Sequence, residues 1–283
     1  MTETTAGTAV IPRLKPPYDP AELDDAVKNR GAVILCDAYT EQECDTLLGQ
    51  IAEHKRSHPE EWEYTTRSML GTYQGPDTAT ALHLLVGAIP CAAGMVVHPD
   101  ILGCARRLLK PLSDTVLLTL TEYIERRPGA PAQGLHRDTV AWPHMPVGEH
   151  PIMLTAIAAM TDFTAANGAT WVVLDSHGGL ASDAAPGWEG AVQAEMNRGD
   201  VLLFRADLFH AGGANTTDSD VRHFFSMAYQ VAWLRPIENS TLSVPPRVAA
   251  ELAEDVQELL GYSHELVLGL YKGGDPKNAL RVS

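Results

Sequence analysis

The spacing of apolar residues changes character near Thr115. Before that point it is mostly helical. Ala21 to Arg30 reads as a short helix ended by Gly31, and Thr40-Glu-Gln-Glu43 is a capping-box signature for a helix reaching about His54. Cys44, Leu47, Leu48 and Ile51 fall on one face of that second helix. Thr78 to Val86 and Asp100 to Leu109 also have helical spacing, with Asp100 in the N-cap position of the latter. Two strands interrupt this half: the short apolar run Ala32 to Cys36, and the aromatic, Thr-rich stretch Trp62 to Gly75. Beyond Thr115 the chain becomes a series of strand-like runs, at 116–124, 153–160, 169–174, 201–204 and 223–231. Turn residues separate them, most clearly Asn167-Gly168 and Arg198-Gly-Asp200. A helical pattern returns near Val248 to Leu260. Helices followed by a run of strands predict a mainly β fold with flanking helices, a double-sheet jelly roll. The expected organisation is a single domain over residues 1–283. A Pro-containing arm covers 1–20 and the jelly-roll core covers 115–234.

Composition narrows the class of partner. With 283 residues and 45% hydrophobic content, the chain has enough apolar surface for a sizeable core. Its formal net charge of −15, without any basic block, argues against nucleic acid and against an anionic membrane surface. Cys36, Cys44, Cys91 and Cys104 are scattered without a Cys-x-x-Cys pair, as reduced thiols of a cytoplasmic protein would be. The polar start Met-Thr-Glu-Thr-Thr-Ala lacks signal-peptide character, and no apolar run approaches the roughly 18 residues of a membrane span. These features predict a cytoplasmic protein that acts on a small molecule, and they leave a homodimer open.

Candidate chemistry centres on Gln133-Gly-Leu-His136-Arg137-Asp138 and on His210 far downstream. On an extended strand end, residues two apart point to the same side, so His136 and Asp138 can share one ion. Two imidazoles and one carboxylate on a single face leave three coordination positions open, the arrangement of non-haem Fe(II) oxygenases. His-x-Asp alone is weak evidence. With 11 His and 18 Asp in 283 residues, chance provides about 0.7 occurrences. Two are present, and His98-Pro-Asp100 leads straight into a helical pattern, so His136 and Asp138 are the better pair. A kinase catalytic loop is excluded because no Gly-rich loop accompanies the motif. His210 ends the strand-like run from Val201 and precedes Ala211-Gly-Gly, where small residues allow close approach. Arg222, twelve residues beyond His210 (222 − 210), opens the next strand, and its guanidinium suits bidentate capture of a carboxylate.

His136-Arg-Asp138, His210 and Arg222, with Asn167-Gly-Ala-Thr170 to His177 between them, resemble the phytanoyl-CoA dioxygenase family over about Ala21 to Leu234. The resemblance implies a double-stranded β-helix, a cupin-like jelly roll, that holds Fe(II) through His136, Asp138 and His210. It further implies 2-oxoglutarate as cosubstrate with O2, the distal carboxylate on Arg222. Gln133 and Thr170 match positions that hydrogen-bond the cosubstrate, and Gln74 is a looser match. Because Asp138 is present, no position is vacated for a halide as in the family's halogenases. Hydroxylation of an unactivated C–H is the default outcome, with desaturation, epoxidation, and ring or endoperoxide formation as variants. Two other classes stay open at this point: a non-oxidative cupin-type metalloenzyme, and a binding module without catalysis.

Substrate contacts are expected from the segment before the barrel and from the loop after the metal carboxylate: Met69, Leu70, Tyr73, Trp142, His144 and Met145. Ordinary packing would also account for each of them. Residues 69–77 and 139–151 contain no Lys or Arg, so the phosphates of a CoA ester would find no basic landing patch there. A small, largely apolar intermediate of secondary metabolism is the expected substrate.

Overall fold

A computed structural model describes residues 10–75, 77–180 and 183–281. Among the described residues, twelve strands carry the architecture: β1 (Arg13–Leu14), β2 (Ala32–Leu35), β3 (Ala79–His83), β4 (Val116–Arg126), β5 (Pro146–Val147), β6 (Met153–Ala159), β7 (Thr170–Val173), β8 (Gly179–Leu180), β9 (Ala191–Ala194), β10 (Val201–Arg205), β11 (His210–Ala211) and β12 (Arg222–Val231). Seven form one sheet in the order β1-β2-β10-β6-β12-β4-β3, and β11-β7-β9 form a smaller second sheet. A third pairing joins β5 to β8. This is the expected β-rich fold with flanking helices.

Period-two alternation decides what each face of the large sheet does. On β6, which is buried throughout, Leu154, Ala156 and Ala158 pack into a cluster shared with the helices. Thr155 and Ile157 face the other way, into a cavity between the two sheets. On β12, Arg222, Phe224, Ser226 and Ala228 line the same cavity. The helical side is contributed chiefly by Pro20–Arg30, Glu41–Ser57, Pro90–Met95 and Pro99–Leu109. Asp19 caps the first of these, which ends at Gly31 in the left-handed region at φ 82°. Thr40 and Glu43 form the reciprocal capping box of the second.

Several expectations are corrected. Trp62 to Gly75 is not a strand but two helices, Pro59–Thr66 and Met69–Tyr73. Trp62, Thr65 and Thr66 are buried at i, i+3 and i+4, a helical face that the aromatic and Thr content disguised. Thr78 to Val86 is not a helix. Its first part is β3, paired antiparallel with β4, and Leu84 at φ 56° breaks the strand before a single turn of helix. Here an edge position on the sheet overrides the helical propensity of Ala and Leu. Asp100 is not an N-cap: the helix starts at Pro99, so Asp100 lies in its first turn and His98 holds the cap position without a side-chain bond. Val248 to Leu260 is not one helix but two short ones, Pro246–Ala249 and Glu254–Leu259. The arm of residues 1–20 is partly a strand, since Arg13 and Leu14 pair parallel with Ile34 and Leu35; residues 1–9 lie outside the described range.

Candidate metal centre

His136 and His210 face each other across an isolated antiparallel bridge, with both backbone N–H···O bonds at 2.9 Å. Their rings lie 4.4 Å apart, centroid to centroid. Each Nδ1 is paired with a backbone carbonyl, His136 with Gly134 at 3.0 Å and His210 with Leu208 at 3.1 Å. A proton held on Nδ1 leaves the Nε2 lone pair to meet a metal. Asp138 completes the set: its Oδ1 lies 3.4 Å from His210 Nε2 and 3.9 Å from His136 Nε2. Its Oδ2 accepts a hydrogen bond from the Thr155 hydroxyl at 2.7 Å. One carboxylate oxygen is thereby fixed by the sheet and the other faces the imidazoles. One donor atom from each of the three residues lies within 4.8 Å of the others.

Electrostatics follow from burial and from this pairing. Burial, then the neighbouring His210, pushes His136 down to about 4. For Asp138 burial works upward but is outweighed by the charge and hydrogen bond of His210, by His136 and by Thr155, which hold it at about 2. His210 is likewise disfavoured as a cation by burial, yet the Asp138 carboxylate raises it. Two Nε2 donors and one anionic oxygen on a single face fit Fe(II) and leave coordination positions open toward the cavity.

That cavity has a volume of about 470 Å³, and its walls are mainly apolar. Arg222 lines it while fully buried, and its Nε and Nη1 have no hydrogen-bond partner among the described residues. The guanidinium lies 4.6 Å from the Phe163 ring, with Phe224 on another side. Burial, then the adjacent Arg126 cation, brings Arg222 down to about 9. A buried, unpaired guanidinium beside an open metal face calls for an anion, and the distal carboxylate of 2-oxoglutarate fits it. Arg126 is the direct cross-strand neighbour of Arg222 and lines the same end of the cavity. It donates to the backbone carbonyls of Gln74 and Pro131.

Among the remaining expected contacts, Gln133, Gln74 and Thr170 all line the cavity. Gln133 accepts from the Gly212 N–H at 2.8 Å and donates to Gln74 Oε1 at 3.1 Å. In these bonds Gln133 uses one of its two N–H donors and Gln74 neither. Met69, Leu70 and Tyr73 line the cavity from the short helix Met69–Tyr73, where Met69 is 91% and Tyr73 54% exposed. Trp142, His144 and Met145 follow the metal carboxylate in sequence but do not line the cavity; Trp142 packs against the helical core instead. Arg205 lies outside this lining and donates to Asp207 and to the carbonyls of Gly148 and Glu149. Asn215 is a turn residue, donating to the carbonyls of Arg126 and Asp220.

Sequence reading missed Glu122, Arg126, Arg137, Thr155 and Ser226, all of which line the cavity. A period-two count along β4 and β6 from any one inward residue would have found Glu122, Arg126 and Thr155. Arg137 stacks 4.0 Å over the Phe209 ring and donates to the Ser176 carbonyl.

Comparison with known proteins agrees with this geometry. The family model described as phytanoyl-CoA dioxygenase (PhyH) matches residues 27–224. Dioxygenase trt7 of Aspergillus terreus is 25% identical over 280 residues, covering 96% of this chain and 95% of that protein. The multifunctional dioxygenase ausE of Penicillium brasilianum is 27% identical over 271 residues, covering 87% and 88%. The iron/alpha-ketoglutarate-dependent dioxygenase ausU of Aspergillus calidoustus is 34% identical over 140 residues, but the match spans only 48% of this chain and 46% of that protein. In fold, the chain is similar to the non-heme alpha ketoglutarate dependent carbocyclase SnoK from nogalamycin biosynthesis. That likeness has a TM-score of 0.58 at 19% identity, over 80% of this chain and 92% of the other. With the ligand geometry, the orphaned guanidinium and the match over residues 27–224 together, the chain belongs to the phytanoyl-CoA dioxygenase family of Fe(II)- and 2-oxoglutarate-dependent oxygenases.

Proposed function

We propose that this protein oxidises an unactivated C–H of a small, largely apolar biosynthetic intermediate, with hydroxylation as the default outcome. The observation that carries the reading is the unpaired Arg222 guanidinium in the same apolar cavity as His136, Asp138 and His210. Bound Fe(II), with 2-oxoglutarate and O2, supplies the oxidising chemistry. The chain's part is to bind, orient and exclude water. His136, Asp138 and His210 hold the metal, and Thr155 fixes the carboxylate. Arg222 anchors the cosubstrate's distal carboxylate, and Gln133, Gln74 and Thr170, which line the same cavity, are its proposed hydrogen-bond partners. Leu120, Met153, Ile157 and Ile237 keep the remainder of the cavity apolar, and Met69, Leu70 and Tyr73 cover it from one side.

An acyl-CoA fits this cavity poorly. Of the arginines that line it, Arg126 and Arg222 are fully buried and Arg137 is tied to Phe209 and the Ser176 carbonyl. Among the described residues no other Lys or Arg lines the cavity, and the charge of −15 opposes a polyanion at long range. The name of the Penicillium brasilianum relative, a multifunctional dioxygenase, favours a second reading in which one site performs successive oxidations. Succinate release and product mass, measured with acyl-CoAs and with ring-containing natural-product intermediates, test both. Succinate coupled to one added oxygen on a ring compound supports hydroxylation, and loss of two hydrogens or several products from one substrate supports the second reading. Coupled turnover of an acyl-CoA contradicts the substrate class, and turnover without succinate contradicts the reaction class.

A further inference from the structure

β4 brings a second charged residue to the cavity, four residues before Arg126. Glu122 is buried, lines the cavity, and is the only carboxylate besides Asp138 among the described residues that do so. Its cross-strand neighbours are Ser226 on β12 and His83 on β3. His83 Nδ1 lies 3.6 Å from Glu122 Oε2 and 3.5 Å from Glu238 Oε1. Neither ring nitrogen of His83, nor Glu238 Oε1, has a hydrogen-bond partner among the described residues. An irregularity in the β4–β12 pairing creates this cluster. Thr119 is left out of register, and its hydroxyl and carbonyl take the N–H groups of Ile237 and Glu238. Glu238 is thereby delivered beside His83, where its Oε2 accepts the Thr121 N–H at 3.1 Å.

We propose that Glu122 is the polar anchor for the substrate, its carboxyl donating a hydrogen bond to a hydroxyl or carbonyl oxygen on an otherwise apolar ring system. The proposal rests on the oxygenase reading given above. Two buried carboxyls flanking one imidazole cannot all be ionised in a low-dielectric setting, so the cluster retains protons, and of its two carboxyls Glu122 is the one that lines the cavity and can present an O–H there. Consistent with this, burial and then Asp138 raise Glu122 to about 8, while burial lowers His83 to about 4 and raises Glu238 well above its ordinary range. Placement separates this group from the cosubstrate. Four residues of strand span about 13 Å, whereas the carbon chain of 2-oxoglutarate, with bonds of about 1.5 Å, held at Arg222 covers roughly half of that. Glu122 therefore faces the part of the cavity left for substrate, beside Leu120, Met153, Ser226, Ala228 and Ile237. A cationic substrate is disfavoured because Arg126 and Arg222 share the cavity.

The test uses saturated steroid pairs that differ by one hydroxyl or one ketone, at several ring positions, together with an amine analogue. Binding is measured to protein loaded with Fe(II) and 2-oxoglutarate without O2. Wild type should favour the oxygenated member of at least one pair by roughly tenfold. E122L should lose that preference, and E122Q, which keeps a donor, should retain part of it. In infrared difference spectra, a protonated-carboxyl C=O band should shift on probe binding in wild type, and that probe-induced shift should be absent in E122Q. Should E122L fail to fold, E122Q and this band decide. Equal affinity within every pair, no binding of any probe to folded wild type, an unshifted carboxyl band or tighter binding of the amine each overturns the anchor. The visible charge-transfer band of the Fe(II)–2-oxoglutarate chelate separates the two failures. With the band intact, only the anchor has failed; without it, the oxygenase reading has failed first.

Discussion

Thr155 does for Asp138 what the Gly134 and Leu208 carbonyls do for the two histidines: each satisfies the ligand atom that points away from the metal. Removing a ligand and removing its support therefore differ in degree. Asp138→Ala should abolish substrate oxidation even with saturating Fe(II), and unchanged turnover would refute its place as a ligand. Thr155→Val, nearly isosteric, should weaken Fe(II) binding roughly 10–100-fold, measured by metal titration of the folded protein. Asp100→Ala should keep full activity and cost roughly 0.3–1 kcal/mol, since Asp100 is a first-turn acid rather than a cap. Arg222→Leu should raise the 2-oxoglutarate KM roughly ten- to a hundredfold while sparing Fe(II) affinity. His136 and Asp138 are legible in sequence by their two-residue spacing and His210 by its place at a strand end, and the structure brings the three together; Arg222, singled out as a guanidinium at a strand start, lines the same cavity. Glu122, Arg126 and Thr155 are not legible, because nothing in their local sequence says which face of a strand meets the cavity.

At the scale of elements, the strands of the second half were readable because buried β runs are apolar and punctuated by turns, and β4, β6, β7, β10 and β12 fall where the pattern puts them. Between Trp62 and His83 the local pattern points to the wrong element at both ends. Helix Pro59–Thr66 is defined by Pro59 and by acids in its first turn, and β3 only by its pairing with β4. The two are tied together where the Thr65 hydroxyl donates to the Ala81 carbonyl. The chain then turns so tightly that a Cβ on Gly71 would collide with the Thr65 and Thr66 carbonyls. Gly71→Ala should displace the helix Met69–Tyr73 that covers the cavity. The expected cost is roughly 1–3 kcal/mol of stability and a raised substrate KM, with Fe(II) binding unchanged. Thermal unfolding and steady-state kinetics of the variant check both parts.

For the whole molecule, the buried acid cluster sets how stability depends on pH. Glu122 is held at about 8 in the fold and is an ordinary carboxylate in the unfolded chain. Folding thus takes up a proton, and the stability this group contributes is fully present below the ordinary carboxylate range. It is lost as pH rises through about 8. His83, lowered to about 4, acts on the other side, its contribution fading as pH falls from the ordinary histidine range toward that value. Glu122→Gln should therefore raise the Tm most under alkaline conditions and least near pH 5. A Tm difference independent of pH would contradict a protonated Glu122. Among the described residues no helix is long and apolar enough to cross a membrane.

That His136, Asp138 and His210 hold Fe(II) while Arg222 anchors 2-oxoglutarate in one cavity has a spectroscopic consequence. Anaerobic titration of Fe(II) into the protein at saturating 2-oxoglutarate, followed by the visible charge-transfer band of the chelate, tests it most directly. Wild type should show a saturable band with a single iron per chain. Asp138→Ala should show no band, and Arg222→Leu should form it only at much higher 2-oxoglutarate. No band in folded wild type, or an undiminished band in Asp138→Ala, would contradict it.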